Sequence, residues 1–487
     1  MAIVTAMAEN PWPASLAGYR VHLVGIKGTG MAALAEILVR RGAAVSGSDG
    51  TERFYTDALL ARLGIPYREG FAAANVEPGV RLVIHSPAYS PEEHVELREA
   101  LARGIPVLSY PQALGRLSAA ADSSGVAGTH GKTTTTALAG TLLDALGLPV
   151  TVLVGSEVAG FGGRSTLVRG ERYFVAETCE YRRHFLHFRP RRLVVTGVEA
   201  DHLDYYRDLE DVLEAFVSYV RLLPSGGTLI YGSDDPGARA VVERARAERG
   251  DLRLLPYGEG AEGAFRLEQV QSADGRTRFR LRGLPGEFSL RLPGRHMAWN
   301  AAAALALAGV LLEGEGRTLA GRELEGLRAA LAEFRGTRRR SEVVGEAGGV
   351  LFLDDYGHHP TEIRATLEGY KSFYPGRRLV VDFMPHTYSR TRALLPQFAE
   401  CFAPADAVVL HRVYASAREQ DHGGVDGRTL YREVALRHPA VEYYEEPLEA
   451  VDALAGRLAA GDLFVTMGAG DNWKVGRALL ERLGGSP

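Results

Sequence analysis

The stretch Val126-Ala-Gly-Thr-His-Gly-Lys-Thr-Thr-Thr-Thr136, VAGTHGKTTTT, decides how this chain is read. It carries the glycine pair and Lys-Thr of a phosphate-binding loop, but the strict pattern G-x-x-x-x-G-K-[ST] would require glycine where Val126 stands. Ser124-Gly-Val-Ala127 before it reads as a buried strand, and Thr134 to Leu146 after it as a helix. A strand, a glycine turn and a helix N-terminus in that order present backbone amides and a helix dipole to an anion. Gly128, Thr129, His130, Gly131 and Thr134 are therefore expected around phosphates. Lys132 would neutralise charge on the outer phosphates, and the Thr133 hydroxyl would ligate Mg²⁺.

Strands are also expected at Tyr173–Ala176, Leu193–Gly197 and Gly227–Tyr231, and each of the first two is followed by an acidic turn. Glu177 and Glu180 follow the first; Glu199-Ala-Asp-His-Leu-Asp204 follows the second. In an open parallel sheet the loops at the carboxyl ends of the strands share one edge. A carboxylate from these turns and the His202 imidazole are thus expected to face Thr133 across a nucleotide-bound magnesium ion. Alternating residues from Phe265 to Leu292 predict a small antiparallel excursion, and an alanine-rich helix begins at Met297.

A second glycine loop lies near the start, Val24-Gly-Ile-Lys-Gly-Thr-Gly30, between a strand at Arg20–Gly25 and a helix at Met31–Arg41. Its glycines depart from the dinucleotide fingerprint G-x-G-x-x-G. Asp49, at the end of the strand Ala43–Asp49, comes too early and too exposed for a ribose-binding acid of that type. A diphosphate fits this loop better than NAD. Strands at Leu82–His85 and Ile105–Leu108, with a helix at Pro91–Arg103, complete an α/β module ending near Leu117.

After Phe334 the pattern restarts, with strands at Val350–Leu353, Arg378–Asp382, Ala407–Leu410 and Asp462–Thr466. Two loops of this third module, Asp354-Asp-Tyr-Gly-His-His-Pro-Thr361 and Pro385-His-Thr-Tyr-Ser-Arg-Thr-Arg392, gather acids, imidazoles and guanidinium groups suited to an amino acid zwitterion, with arginine on its carboxylate. The run Arg338-Arg339-Arg340, taken alone, reads as a solvated face.

Bulk properties agree with three modules. The chain has 487 residues, and domains average roughly 150 residues. Acidic residues number 60 and basic residues 56, for a net charge of −4, which argues against a nucleic-acid partner. Cys179 and Cys401 imply neither a disulfide framework nor a zinc site. The first twenty residues show no secretory pattern, and the apolar run Met297–Leu312 is too short to span a bilayer and contains Asn300. A cytoplasmic protein with no membrane partner is expected.

With these residues on the page, the chain resembles the Mur ligases of peptidoglycan synthesis, and within them the alanine-adding branch. The resemblance runs through GIKGTGM, GTHGKTTTT, VEADHLDYY, PGRHMAWNAAAA, FRGTRRR, DDYGHHPTE, PHTYSRTR and TMGAGD, in that order and over nearly the whole length. It implies an α/β protein of three domains: a Rossmann-like N-terminal domain at 1–117 for a UDP-sugar, a central P-loop ATPase domain at 118–333, and a Rossmann-like C-terminal domain at 334–487 for the amino acid. It implies ATP with Mg²⁺ or Mn²⁺, the substrates UDP-N-acetylmuramate and L-alanine, and a monomer or homodimer. Carried over by position, Lys132, His202 and His358 look catalytic, and Thr133, Glu177 and His202 look like metal ligands. Asn300, Arg339 and Asp354 join the phosphate loop around ATP. Gly28, Thr29, Gly30, Met31, Asp49, Ser86, Glu180, Tyr356, His358, Thr387 and Arg390 contact the other substrates.

The chain departs from the family pattern in places. Glu177-Thr-Cys-Glu-Tyr-Arg182 stands where the family reads EADESD, leaving open which glutamate holds metal. Thr387 stands where many relatives have arginine, Ser341 replaces an aromatic residue, and no lysine stands on the helix after His202, until well past Arg221, for carbamylation. The related ligase that recycles peptide onto UDP-N-acetylmuramate is an alternative, but it would have phenylalanine at Gly30 and Phe-Ala at Tyr356-Gly357. An NAD-dependent dehydrogenase would leave Lys132 and the third module unexplained, and a non-catalytic nucleotide-binding regulator would leave Lys132, Glu177 and His202 unexplained.

Overall fold

The computed structural model describes residues 12–13, 15–54, 56–415 and 424–486. Runs of β-branched and leucine residues bounded by glycine turns build three mainly parallel sheets, each wrapped by helices. The first sheet has the strand order Tyr67–Glu69, Ala44–Asp49, Arg20–Val24, Leu82–His85, Val107–Ser109, all parallel. Its short outer strand Tyr67–Glu69 and the helix Thr56–Arg62 before it are additions to the sequence reading. The strand is three residues long and polar, so alternation could not announce it. The helix expected from Pro91 starts only at Val95.

The second sheet has seven strands in the order Arg253–Tyr257, Thr228–Gly232, Arg192–Val195, Asp122–Ala127, Tyr173–Glu177, Val150–Val158, Arg164–Val168. All pair in parallel except the last, which turns back against Val150–Val158. The strand that leads into VAGTHGKTTTT therefore lies between the two strands that lead into the acidic turns. The alternation noted from Phe265 forms a three-stranded antiparallel sheet, Leu267–Ala273, Arg276–Leu281 and Leu284–Leu290.

The third main sheet has the order Glu342–Ala347, Val350–Asp355, Asp462–Met467, Arg378–Phe383, Ala407–Leu410, Val441–Tyr443, with only its first strand antiparallel. Both outer strands are additional to the sequence reading. The first contains Gly345 and a register shift between Val343 and Gly345, which breaks the period of two.

Helix Lys132–Ala145 and helix Arg295–Gly314 pack together in the core of the central unit. Among the described residues, Arg295–Gly314 is the one helix long and apolar enough to cross a membrane, and 83% of its apolar window is buried in the protein. Its small residues, including Ala301, Ala302, Ala303 and Ala304, have no exposed surface, allowing close helix approach. Leu142 is fully buried on the helix that carries the phosphate loop. Replacing it with alanine is expected to cost about 3 kcal/mol through lost burial and a residual cavity. Calorimetric unfolding should show the central transition lowered; an unchanged transition would mean that this helix pair does not limit stability.

Candidate active site

The phosphate loop is shaped by what surrounds it. Gly128 has φ +139°, and a Cβ there would lie 2.0 Å from Thr196 Oγ1; Gly131 has φ +77°, and its Cβ would lie 2.5 Å from Asn300 Oδ1. Both positions require glycine sterically as well as conformationally. The helix Lys132–Ala145 then begins with no side-chain cap and no acidic residue in its first turn, leaving its amides available to an anion. Val126 sits in the strand, paired with Glu177 on one side and Val194 on the other.

Lys132 Nζ lies 3.0 Å from the Glu180 carboxylate and 3.2 Å from the Thr129 carbonyl. It also donates to the Gly128 carbonyl. Burial alone would lower the Lys132 pKa, but Glu180, together with Cys179 and Glu177, outweighs it and raises the value, so the ammonium stays charged. The Glu180 carboxyl is raised by burial and lowered more strongly by Lys132 and His202. His202 Nε2 lies 3.3 Å from Glu180 Oε1, and His202 adopts φ +54°, an uncommon backbone conformation for histidine. The structure thus brings Glu180, expected to contact substrate, onto Lys132 and His202. Glu177 accepts a hydrogen bond from Gly155 N at 2.8 Å and lines a second cavity.

A cavity of about 270 Å³ opens beside the loop, lined by His130, Gly131, Thr133, Thr134, Asn300 and the C-terminal unit's Arg340, Asp355, Thr361 and Glu362 among others. Arg339 and Asp354, expected at the nucleotide, are not on its wall. Arg339 Nε donates to Asp354 Oδ2 at 2.9 Å, and an Arg339 NH2 group donates to the Gly468 carbonyl at 2.7 Å. The alternation of a strand sends neighbours to opposite faces, so Asp355 reaches the cavity side. The arginine run is correspondingly no solvated face. Arg338 pairs with Glu157 at 3.0 Å, and Arg340 with Glu362 at 3.5 Å.

The second cavity, about 180 Å³, lies between the first and central units and is lined by Thr29, Gly30, Tyr110, Leu114, Gly155, Glu177 and His184 among others. The helix Thr29–Arg40 has no side-chain cap and no acid in its first turn, which suits a diphosphate. Gly28 precedes it as an exposed cap residue, while Met31 is buried beneath. Asp49 is not exposed as expected; it is 8% accessible. Its carboxylate accepts from Lys27 N at 2.7 Å and Gly50 N at 2.8 Å, so it holds the loop. Lys27 itself is buried, with Nζ donating to Gly50 O and Glu52 O at 2.8 and 2.9 Å. Ser86 lies beside Gly25, in the turn after strand Leu82–His85.

In the C-terminal unit, Arg390 was expected to hold an amino acid carboxylate. It is 6% accessible and grips Asp201 of the central unit, with Nε and an NH2 group 2.9 and 2.8 Å from Oδ1. Burial raises the Asp201 pKa, but Arg390 and neighbouring imidazoles lower it well below the usual carboxylate range. Thr387 caps the helix Tyr388–Ala393, accepting from Arg390 N. His358 Nδ1 lies 2.9 Å from the Tyr356 carbonyl, and Tyr356 lies beneath Arg339 and Arg340 at 5.2 and 5.3 Å. Burial, with Arg390 nearby, holds the His358 pKa well below the ordinary imidazole value. Asp201, Glu199, His359 and Glu362, all at this seam, were given no site role from sequence. Each lies within a quoted motif, but its contact is with a remote one.

Three family profiles match the chain in order: "Mur ligase family, catalytic domain" over residues 20–122, "Mur ligase middle domain" over 126–308, and "Mur ligase, glutamate ligase domain" over 339–470. It is 52% identical over 473 residues to a UDP-N-acetylmuramate–L-alanine ligase of Treponema pallidum, covering 97% of this chain and 98% of that relative. A ligase of the same name from Desulfitobacterium hafniense is 41% identical, covering 94% and 99%. The crystal structure of UDP-N-acetylmuramate-alanine ligase from Thermotoga maritima aligns with a TM-score of 0.73 at 26% identity, covering 95% of this chain and 98% of that one. With its three α/β units and these full-length likenesses, the chain belongs to the Mur ligase family.

Proposed function

We propose that this chain is an ADP-forming ligase that joins L-alanine to the lactyl carboxylate of UDP-N-acetylmuramate in the cytoplasm, for peptidoglycan precursor synthesis. Residues 1–117 would take the UDP-sugar, 118–333 ATP, and 334–487 the amino acid. The observation that carries this reading is the meeting of Lys132, Glu180 and His202 beside a cleft whose far wall is the C-terminal unit. Three substrates can meet only at such a seam. Gly30 favours this reading over the peptide-recycling ligase, because a Cβ there would lie 2.8 Å from the Tyr110 ring, leaving no room for phenylalanine without moving Tyr110.

A carboxylate is a poor electrophile, so the reaction requires its activation as an acyl phosphate before an amine attacks. The glycine cradle and uncapped helix start fit a triphosphate, and Thr133, Glu177 and His202 would hold the Mg²⁺. When bound, the ion draws charge from the phosphates. Lys132 serves the same end by turning from Glu180 to the transferring phosphoryl group. Glu180 is the counter-ion that keeps Lys132 charged until then. Gly28, Thr29, Gly30 and the helix they open would bind the diphosphate of the sugar nucleotide. His358, kept unprotonated by burial and Arg390, is free to take the proton of the incoming amine. Closure of the seam would exclude water from the acyl phosphate.

Phosphate release from ATP, measured with UDP-N-acetylmuramate and each of alanine, serine, glycine and a tripeptide, should be stimulated most by alanine. Stimulation by the tripeptide alone would favour the recycling ligase, and stimulation by no amine would end the ligase reading. Lys132→Ala should keep the fold and lower acyl phosphate formation at least ~100-fold. Wild-type turnover in that variant would remove the phosphate loop from the mechanism.

A further inference from the structure

The seam holds a cluster that the Mg²⁺ site does not use. His130 belongs to the phosphate loop, Glu199 to the turn after strand Arg192–Val195, and His359 caps the C-terminal helix Pro360–Phe373. One ligand atom from each lies within 4.8 Å of the others. His130 Nε2 is 3.5 Å from Glu199 Oε2, and His359 Nδ1 is 3.6 Å from the same oxygen. A tetrahedral ion with bonds of about 2.0–2.1 Å spaces its donor atoms roughly 3.3–3.4 Å apart, so small side-chain shifts would suffice.

Two further observations point to a ligand. His359 is only 4% accessible, and Nε2 of His130, the atom that faces Glu199, is buried without a hydrogen-bond partner. The parts are also held in place. Glu362 Oε1 lies 3.1 Å from His130 Nδ1, the carboxylate–imidazole arrangement that orients metal-binding histidines. Thr361 Oγ1 donates to Glu199 Oε2 at 2.8 Å, and Glu199 N donates to Thr129 Oγ1 at 2.9 Å. Two imidazoles and a carboxylate suit a borderline cation such as Zn²⁺, whereas Mg²⁺ takes oxygen ligands.

We propose that His130, Glu199 and His359 form a binding site for a zinc-type divalent cation that bridges the central and C-terminal units. The site is distinct in its side chains from the magnesium site of Thr133, Glu177 and His202. Binding exchanges a proton for the ion. Burial would lower the His130 pKa, but Glu362 and Glu199 outweigh it and raise the value to about 10. His130 therefore releases its Nε2 proton as the metal–nitrogen bond forms, while Nδ1–H stays on Glu362. His359, whose pKa is lowered chiefly by burial, needs no deprotonation, and Nδ1 gives up only its long 3.4 Å contact with Thr361 N.

The test uses the full chain in excess Mg²⁺, titrated with Zn²⁺ by calorimetry and with Co²⁺ by visible absorption. One Zn²⁺ per chain should bind, and Co²⁺ should give the intense bands of a low-coordinate site. Affinity should fall at least ~10-fold in both His359→Asn, which retains a capping side chain, and Glu199→Gln. His202→Gln should bind Zn²⁺ as the unmodified chain does. Thermal unfolding verifies that the variants are folded. The proposal is overturned if the chain binds no Zn²⁺ in excess Mg²⁺, if either folded seam variant binds it undiminished, or if His202→Gln alone abolishes the Co²⁺ bands.

Discussion

The structure depends on the parallel pairing of Asp122–Ala127 between Tyr173–Glu177 and Arg192–Val195. Parallel strands release their loops at one edge of the sheet, so the phosphate loop emerges between two acidic turns. Lys132, Glu180 and His202, from three separate segments, meet there without any of them being close in sequence. The cost of that convergence is a set of buried charges. Lys132 and Glu180 offset each other's desolvation, and His202, 3.3 Å from Glu180, remains a partner for the carboxylate when Lys132 is removed.

The same logic governs the seam with the C-terminal unit. Asp201 reaches Arg390, and Glu199 reaches Thr361 and lies near His359. These contacts pair charge or polarity across two units that each have their own sheet and core. Such contacts are individually modest in water but stronger where solvent is excluded. Glu199 and Thr361 lie on the wall of the cavity beside the phosphate loop, so this seam and that cavity share residues.

Much of this was legible in the sequence. The strands flanking VAGTHGKTTTT, the antiparallel excursion and the sheet of the third unit follow from hydrophobic runs and glycine punctuation. The apolar strand Val150–Val158 is missing from the sequence reading, and most of the rest that escaped was short, polar or long-range. Tyr67–Glu69 is too short to show a period, and Gly345 interrupts the alternation of Glu342–Ala347. Asp354 and Asp355 are adjacent, and sequence offers no way to decide which faces the cleft. Asp201 and Arg390 are 189 residues apart, and Glu199 and Thr361 162, so only the assembled fold reveals that Arg390 is already engaged. Motifs located the loops; they did not specify each loop's partners.

The steric contacts of Gly128 and Gly131 carry a consequence for how the phosphate loop is regarded as a unit. Its curvature is bounded by Thr196, from a neighbouring strand end, and by Asn300, from a helix far along the chain. A peptide copy of GTHGKTTTT, or a graft of it into another scaffold, would keep the letters and lose the walls. The loop is not a portable cassette: its shape is a property of the whole central unit.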